Sequence, residues 1–232
     1  MSRLRPAALA LAAVALAALL GGCGGDDGAG TQSAAATATT TAHAEGRPVT
    51  DEQALALARV LQQNWQRGGA RFTGSVVVHG TAIPMSGRAD FRSGRGTATL
   101  REPGAASRRY VWTRRAVYAQ SDPGSRRYAV QRPDPDGDPV HAAIALINLL
   151  SAETIDNTAN IQDQGARFLR GDTVDGTPVD VYRYRSGGGA TYAIGRDDGL
   201  LRQLDARLPA GELVVTLTSH EPVRVAVPEG QR

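Results

Sequence analysis

The chain has a single cysteine, no lysine and only 5% aromatic residues among its 232 positions. One cysteine excludes an internal disulfide, so the folded part must hold by its core alone. Scarce aromatics leave few platforms on which bases could stack. Every basic residue is an arginine, and 26 of them stand against 23 acidic residues. Setting aside Arg3 and Arg5, which belong to the leader described below, leaves 24 against 23. A balance of +1 is no nucleic-acid signal. After Leu20 no apolar run is long enough to span a bilayer. Nucleophile elbow, P-loop, dinucleotide fingerprint and zinc spacing are all missing, and His43, His79, His141 and His220 stand far apart. No catalytic residue, metal or cofactor is implied, and an enzyme is not expected.

What is present starts at the first residues. Arg3 and Arg5 form a short positive segment, and Ala7 to Leu20 is an uncharged run of Ala, Leu and Val, the length of a signal-peptide core. It ends in Leu20-Gly21-Gly22-Cys23, an aliphatic residue, two small ones and a cysteine. That is the pattern of a bacterial lipobox, in which small residues fit a peptidase cleft and the thiol accepts the lipid. Residues 1–22 read as a lipoprotein signal peptide and Cys23 as the lipidated residue, leaving 210 residues outside the membrane. Residues 23–49 are Gly, Ala, Thr and Ser with few charges and no periodic apolar pattern, a tether whose ends sit roughly 30 Å apart as a coil. A folded domain is expected over 50–232.

Within it, Thr50 and Gln53 fit a capping box, and Ala54, Leu57, Ala58, Leu61 and Trp65 recur at helical spacing until Gly68-Gly69. From Ala70 the period becomes two. Phe72, Gly74, Val76 and Val78 oppose Arg71, Thr73, Ser75 and Val77, and Met85, Gly87, Ala89 and Phe91 alternate against Ser86, Arg88, Asp90 and Arg92. Short strands are expected at 96–100, 110–113, 116–120 and 128–132, with Gly, Pro or Asp between most of them. Asp134-Pro135-Asp136-Gly137-Asp138 has the look of a calcium loop, but Pro139 takes the required glycine position and Ala145 that of the closing carboxylate. It reads as an acidic turn, with Asp138 capping a helix that has Pro139 at its first position. From Val140 to Leu150 only His141 and Asn148 are polar, so this helix must be buried against something broad. Strands follow at 166–169, 179–184, 190–194, 201–208, 212–220 and 223–227, turning at Asp175-Gly176, Asp198-Gly199 and Pro209-Ala210-Gly211. The class is α+β: helix, about six strands, apolar helix, about six strands.

Lipobox, Thr/Gly-rich tether, amphipathic helix, strands, central apolar helix and closing strands together resemble the LppX/LprG-type envelope lipoproteins of the LolA-like group. Gly171 to Tyr182 is similar to the strand-turn-strand after the central helix, Asp198-Gly199-Leu200-Leu201-Arg202 to the penultimate hairpin, and Pro222 to Pro228 to the closing strand. The resemblance implies a strongly curved antiparallel half-barrel with helices across its concave face and an apolar cavity that takes acyl chains. Val76, Val78, Phe91, Ile144, Leu146, Ile147 and Leu150 would line it. The implied protein is a monomer, anchored to the outer leaflet of the cell membrane, that binds a lipid or glycolipid and helps move it across the envelope. The alternative is a scaffold with a filled core that docks an envelope or signalling protein. Outside the resemblance, Arg108-Arg109, Arg114-Arg115 and Arg126-Arg127 read either as solvated strand edges or as a patch facing anionic headgroups.

Overall fold

A computed structural model describes residues 46–184, 189–209 and 211–228. The expected leader and Cys23 lie outside the described residues, as does the expected tether up to residue 45. Fifteen elements follow in order: β1 (Arg47–Pro48), α1 (Asp51–Arg67), β2 (Gly69–Val78), β3 (Thr81–Asp90), β4 (Arg95–Leu100), β5 (Arg108–Trp112), β6 (Val117–Gln120) and β7 (Tyr128–Gln131). Then come α2 (Pro139–Asn148), α3 (Thr158–Asp163), β8 (Arg167–Val174), β9 (Thr177–Tyr184), β10 (Ala190–Gly195), β11 (Leu201–Leu208) and β12 (Gly211–Ser219).

All twelve strands form one antiparallel sheet in the order β1-β8-β9-β10-β11-β12-β2-β3-β4-β5-β6-β7. Its two edge strands, β1 and β7, do not pair with each other, so the sheet stays open. Its curvature follows from what α2 touches. This ten-residue helix packs on β2 and β11. It also reaches β5, where Asn148 Oδ1 accepts from Trp112 Nε1 at 3.0 Å, and β7, where His141 Nε2 meets Gln131 Oε1 at 3.1 Å. From β11 to β7 a flat sheet would extend about 33 Å, while such a helix is about 15 Å long. The sheet therefore curls around the helix, giving the strongly curved half-barrel expected.

Small residues on the concave side make room for the curl. A Cβ on Gly96 would lie inside the Trp112 ring directly across from it. One on Gly87 would lie 2.5 Å from the Phe72 ring and 2.2 Å from the Thr97 carbonyl. Glycine at such sites lets neighbouring strands approach closely and bend.

The local signals set the element ends. Thr50 and Gln53 make the reciprocal capping box, and Gly68 closes α1 with φ 87°. Asp175 and Gly176 both have positive φ, as a two-residue hairpin turn requires. Three expectations need correcting. Residues 223–227 form no strand. Both edges of β12 are occupied, by β11 and β2, so the last segment cannot fold back as a hairpin onto the strand before it; it passes beside Gly69 and buries Val225 instead. Pairing starts earlier than Thr50, because Arg47 and Pro48 add a strand beside β8 and the Arg47 guanidinium sits 4.5 Å from the Phe168 ring centre. The buried side of α1 is Ala54, Leu57, Ala58, Val60 and Asn64, while Leu61 and Trp65 are half-buried. The segment after α2 crosses α1, donating from Ala152 N to Leu61 O and from Asp156 N to Ala58 O.

Candidate functional site: the concave face

The centre of the concave face is α2. Asp138 Oδ1 accepts from Val140 N at 2.7 Å and His141 N at 3.1 Å, a cap contributing about 1 kcal/mol. Gly137 N donates to Asp134 Oδ1 at 3.1 Å, so the acidic stretch is a turn that leads into the helix. His141 is buried with both ring nitrogens engaged: Nδ1 accepts from Asp134 N at 3.2 Å, which leaves Nε2 to donate to Gln131. This fixes one end of α2 to β7, as Asn148 and Trp112 fix the other to β5.

All seven residues expected to line a cavity meet in one apolar cluster between sheet and helices. Val76, Phe91, Ile144, Ile147 and Leu150 are buried, and Val78 and Leu146 pack against them half-buried. Sequence reasoning missed their largest neighbour. Trp112 is fully buried, lies between Gly96 of β4 and Val117 of β6 in the ladder, and bonds to Asn148 of α2; its place in a short period-two strand was the available signal. Asn64 was also missed, because a polar residue on a helix reads as exposed. It is fully buried, its Nδ2 donates to Leu150 O at 2.7 Å, and its Oδ1 has no partner. That bond ties α1 to the end of α2.

Where α1 meets α3 and the strands β9 and β10, the cluster opens into a recess of about 40 Å³. Leu57, Val60, Leu61 and Ile161 line it on the helix side, and Tyr184 and Tyr192 on the sheet side. Burial pushes the Tyr192 hydroxyl above its ordinary pKa, with Tyr184 adding to it, so Tyr192 is neutral at physiological pH. The lining is apolar apart from the two phenols and Asp156. Among the described residues no group of three or more His, Cys, Asp or Glu is placed to hold a metal ion. The recess offers mainly apolar contact.

The arginine pairs do not form one patch. Arg108 and Arg109 start β5 and Arg126-Arg127 precede β7, at the sheet end where Arg109 N donates to Gln120 Oε1. Arg114-Arg115 occupy the β5–β6 turn at the opposite end. All six are exposed.

No protein-family model matches this chain, and no curated protein matches it either. Solved structures do. LprF from Mycobacterium bovis is 14% identical, aligned over 80% of this chain and all of that one, with a TM-score of 0.47. Lipoprotein LppX from Mycobacterium tuberculosis is 11% identical over 76% of this chain and all of that one, also at 0.47. The MucA/MucB complex of Pseudomonas aeruginosa contains a chain 14% identical over 71% of this one and 55% of its own length, at 0.38. The fold class itself rests on the strand order and on the contacts of α2; the chain is similar in structure to LppX/LprG-type lipoproteins.

Proposed function

We propose that this protein is exported, anchored to the outer leaflet of the cell membrane through a lipid on Cys23, and carries an acyl chain between the curled sheet and its helices. The observation that carries this reading is the concave face itself. Among the described residues an open sheet turns an apolar inner surface toward three helices, and a mainly apolar recess opens beside the shortest of them. A recess of about 40 Å³ holds little more than a methylene or two, so taking up a chain requires a helix to move. The element to move is α3. It has six residues and buries one side chain, Ile161, whose removal from apolar contact costs about 1.5–3 kcal/mol. An entering chain restores that contact many times over, at about 0.8 kcal/mol per buried methylene.

A second reading has its own observation. Val76, Trp112 and Ile147 are fully buried, and a core that close-packed also suits a scaffold that docks an envelope protein. Lipid extraction of the protein purified from its own cells, followed by mass spectrometry, separates the two. A stoichiometric co-purifying lipid beyond the anchor supports the carrier; none, in repeated preparations, leaves the scaffold. The anchor is tested independently by Cys23→Ser, which is expected to move the protein out of the detergent phase. Unchanged partitioning would show that Cys23 carries no lipid.

A further inference from the structure

The convex face of the same sheet carries an open groove of about 410 Å³ running across β12, β2, β3, β4 and β5. Three arginines line it: Arg71 on β2, Arg88 on β3 and Arg109 on β5. Arg71 and Arg88 are directly opposite each other in the ladder, and like charges so placed destabilise a sheet. Arg88 in turn faces Thr97, whose hydroxyl donates to Tyr110 O at 2.9 Å and accepts from Arg109 Nε at 3.2 Å. Thr97 thus holds the third guanidinium toward the other two. Between them the floor is hydroxyl-bearing, with Thr73, Ser86 and Thr99 side by side on successive strands.

Nothing among the described residues neutralises this cluster. No carboxylate lines the groove, and none of the three arginines forms an ion pair. The carboxylate two residues along β3, Asp90, accepts from Arg92 N and Ser93 N in the following turn. Arg88 Nε is buried without a hydrogen-bond partner. A buried donor left unsatisfied is costly, and so is a cationic pair without a counter-charge. One acceptor-rich anion removes both costs. Guanidinium forks match the oxygens of a phosphate in pairs, and hydroxyls complete the shell.

We propose that this groove is a binding site for a phosphate-type oxyanion, held by Arg71, Arg88 and Arg109. It lies on the opposite face from the acyl-chain space, so the two readings stand or fall separately. The phosphate can belong to a free ion or to a lipid headgroup, and the test distinguishes them. Full-length protein in neutral detergent is titrated calorimetrically, at low ionic strength, with inorganic phosphate, pyrophosphate, dihexanoyl phosphatidic acid and, as a chain control, dihexanoyl phosphatidylcholine. Arg88→Gln and Arg71→Gln are each expected to weaken anion binding about tenfold, Arg88→Lys less, and Arg207→Gln, outside the groove, not at all. Tighter binding of phosphatidic acid than of pyrophosphate assigns the site to a headgroup; the reverse order assigns it to a free ion. Should Arg88→Gln fail to fold by circular dichroism, the exposed Arg71 supplies the variant. Absence of binding by wild type up to about 10 mM of each anion, or binding indifferent to both glutamine variants, overturns the proposal.

Discussion

The two faces of β2 to β5 are made by the same residues in alternation, yet they are different surfaces. On the concave side Phe72, Val76, Ala98 and Trp112 are buried against α1 and α2. On the convex side Arg71, Arg88 and Arg109 stand around hydroxyls with an open groove between them. A step of one residue moves a side chain from one to the other, because the pleat alternates strictly. The concave face stabilises the fold, whereas the convex face carries uncompensated charge at some expense of stability. A sheet surface that costs stability without packing against anything is where a ligand is to be sought.

That contrast is broken most severely at Trp112. Trp112→Ala removes the largest buried side chain and leaves Asn148 Oδ1 without its donor, so a loss of about 3–5 kcal/mol is expected in chemical denaturation. Arg109→Ala, three residues away on the other face, is expected to change stability by less than about 0.5 kcal/mol. Equal losses at the two positions would mean that the faces do not differ as described.

Next in size is Ile144→Trp, which also tests the carrier. Ile144 and Ile147 lie on adjacent turns of α2 and share the same space. In a close-packed core the larger ring costs about 1–3 kcal/mol. If the space accepts an acyl chain, the delipidated protein tolerates the ring and loses binding of a fluorescent acyl probe. Lost stability, with a wild type that never binds the probe, removes the carrier reading.

A smaller effect is expected at the cap of α2. Asp138→Ala should cost about 1 kcal/mol and Asp138→Asn much less, measured as a shift in thermal midpoint. A null result would mean that α2 is held by the clamps at His141 and Asn148 alone.

The smallest effect concerns pH. Burial pushes the His220 ring below its ordinary pKa, outweighing the raising effect of its 2.8 Å contact with Leu201 O; nearby Arg202 adds to the lowering. The folded state therefore favours the neutral ring. Its contribution is fully present above the unfolded value of about 6.5 and is lost as the pH falls through the lower folded value. Thermal midpoints at about pH 7.5 and 5.5 should differ less in His220→Gln than in wild type. An identical difference in both proteins would assign the acid sensitivity elsewhere.

Features that depend on residues three or four apart, or on simple alternation, were legible in the chain before folding. Thr50 and Gln53 start α1, Asp138 and Pro139 start α2, Asp175-Gly176 turns a hairpin, and period two assigns Arg71 and Phe72 to opposite faces. The run of apolar residues in α2 also told that something broad covers it. Tertiary structure alone decided which strands meet. β12 beside β2 joins the two halves of the chain, and that pairing takes the edge on which the segment 223–227 would have formed a hairpin. It also decided that Asn64 is buried, since only the segment after α2 brings Leu150 O within reach. Arg88 reads as an alternating strand position and Arg109 as a solvated strand edge or patch residue; cross-strand register sets them around one groove. Local signals lie in short-range backbone and rotamer preferences, which any window of sequence contains. Register and burial depend on partners far along the chain, and these are chosen by the packing of the whole sheet.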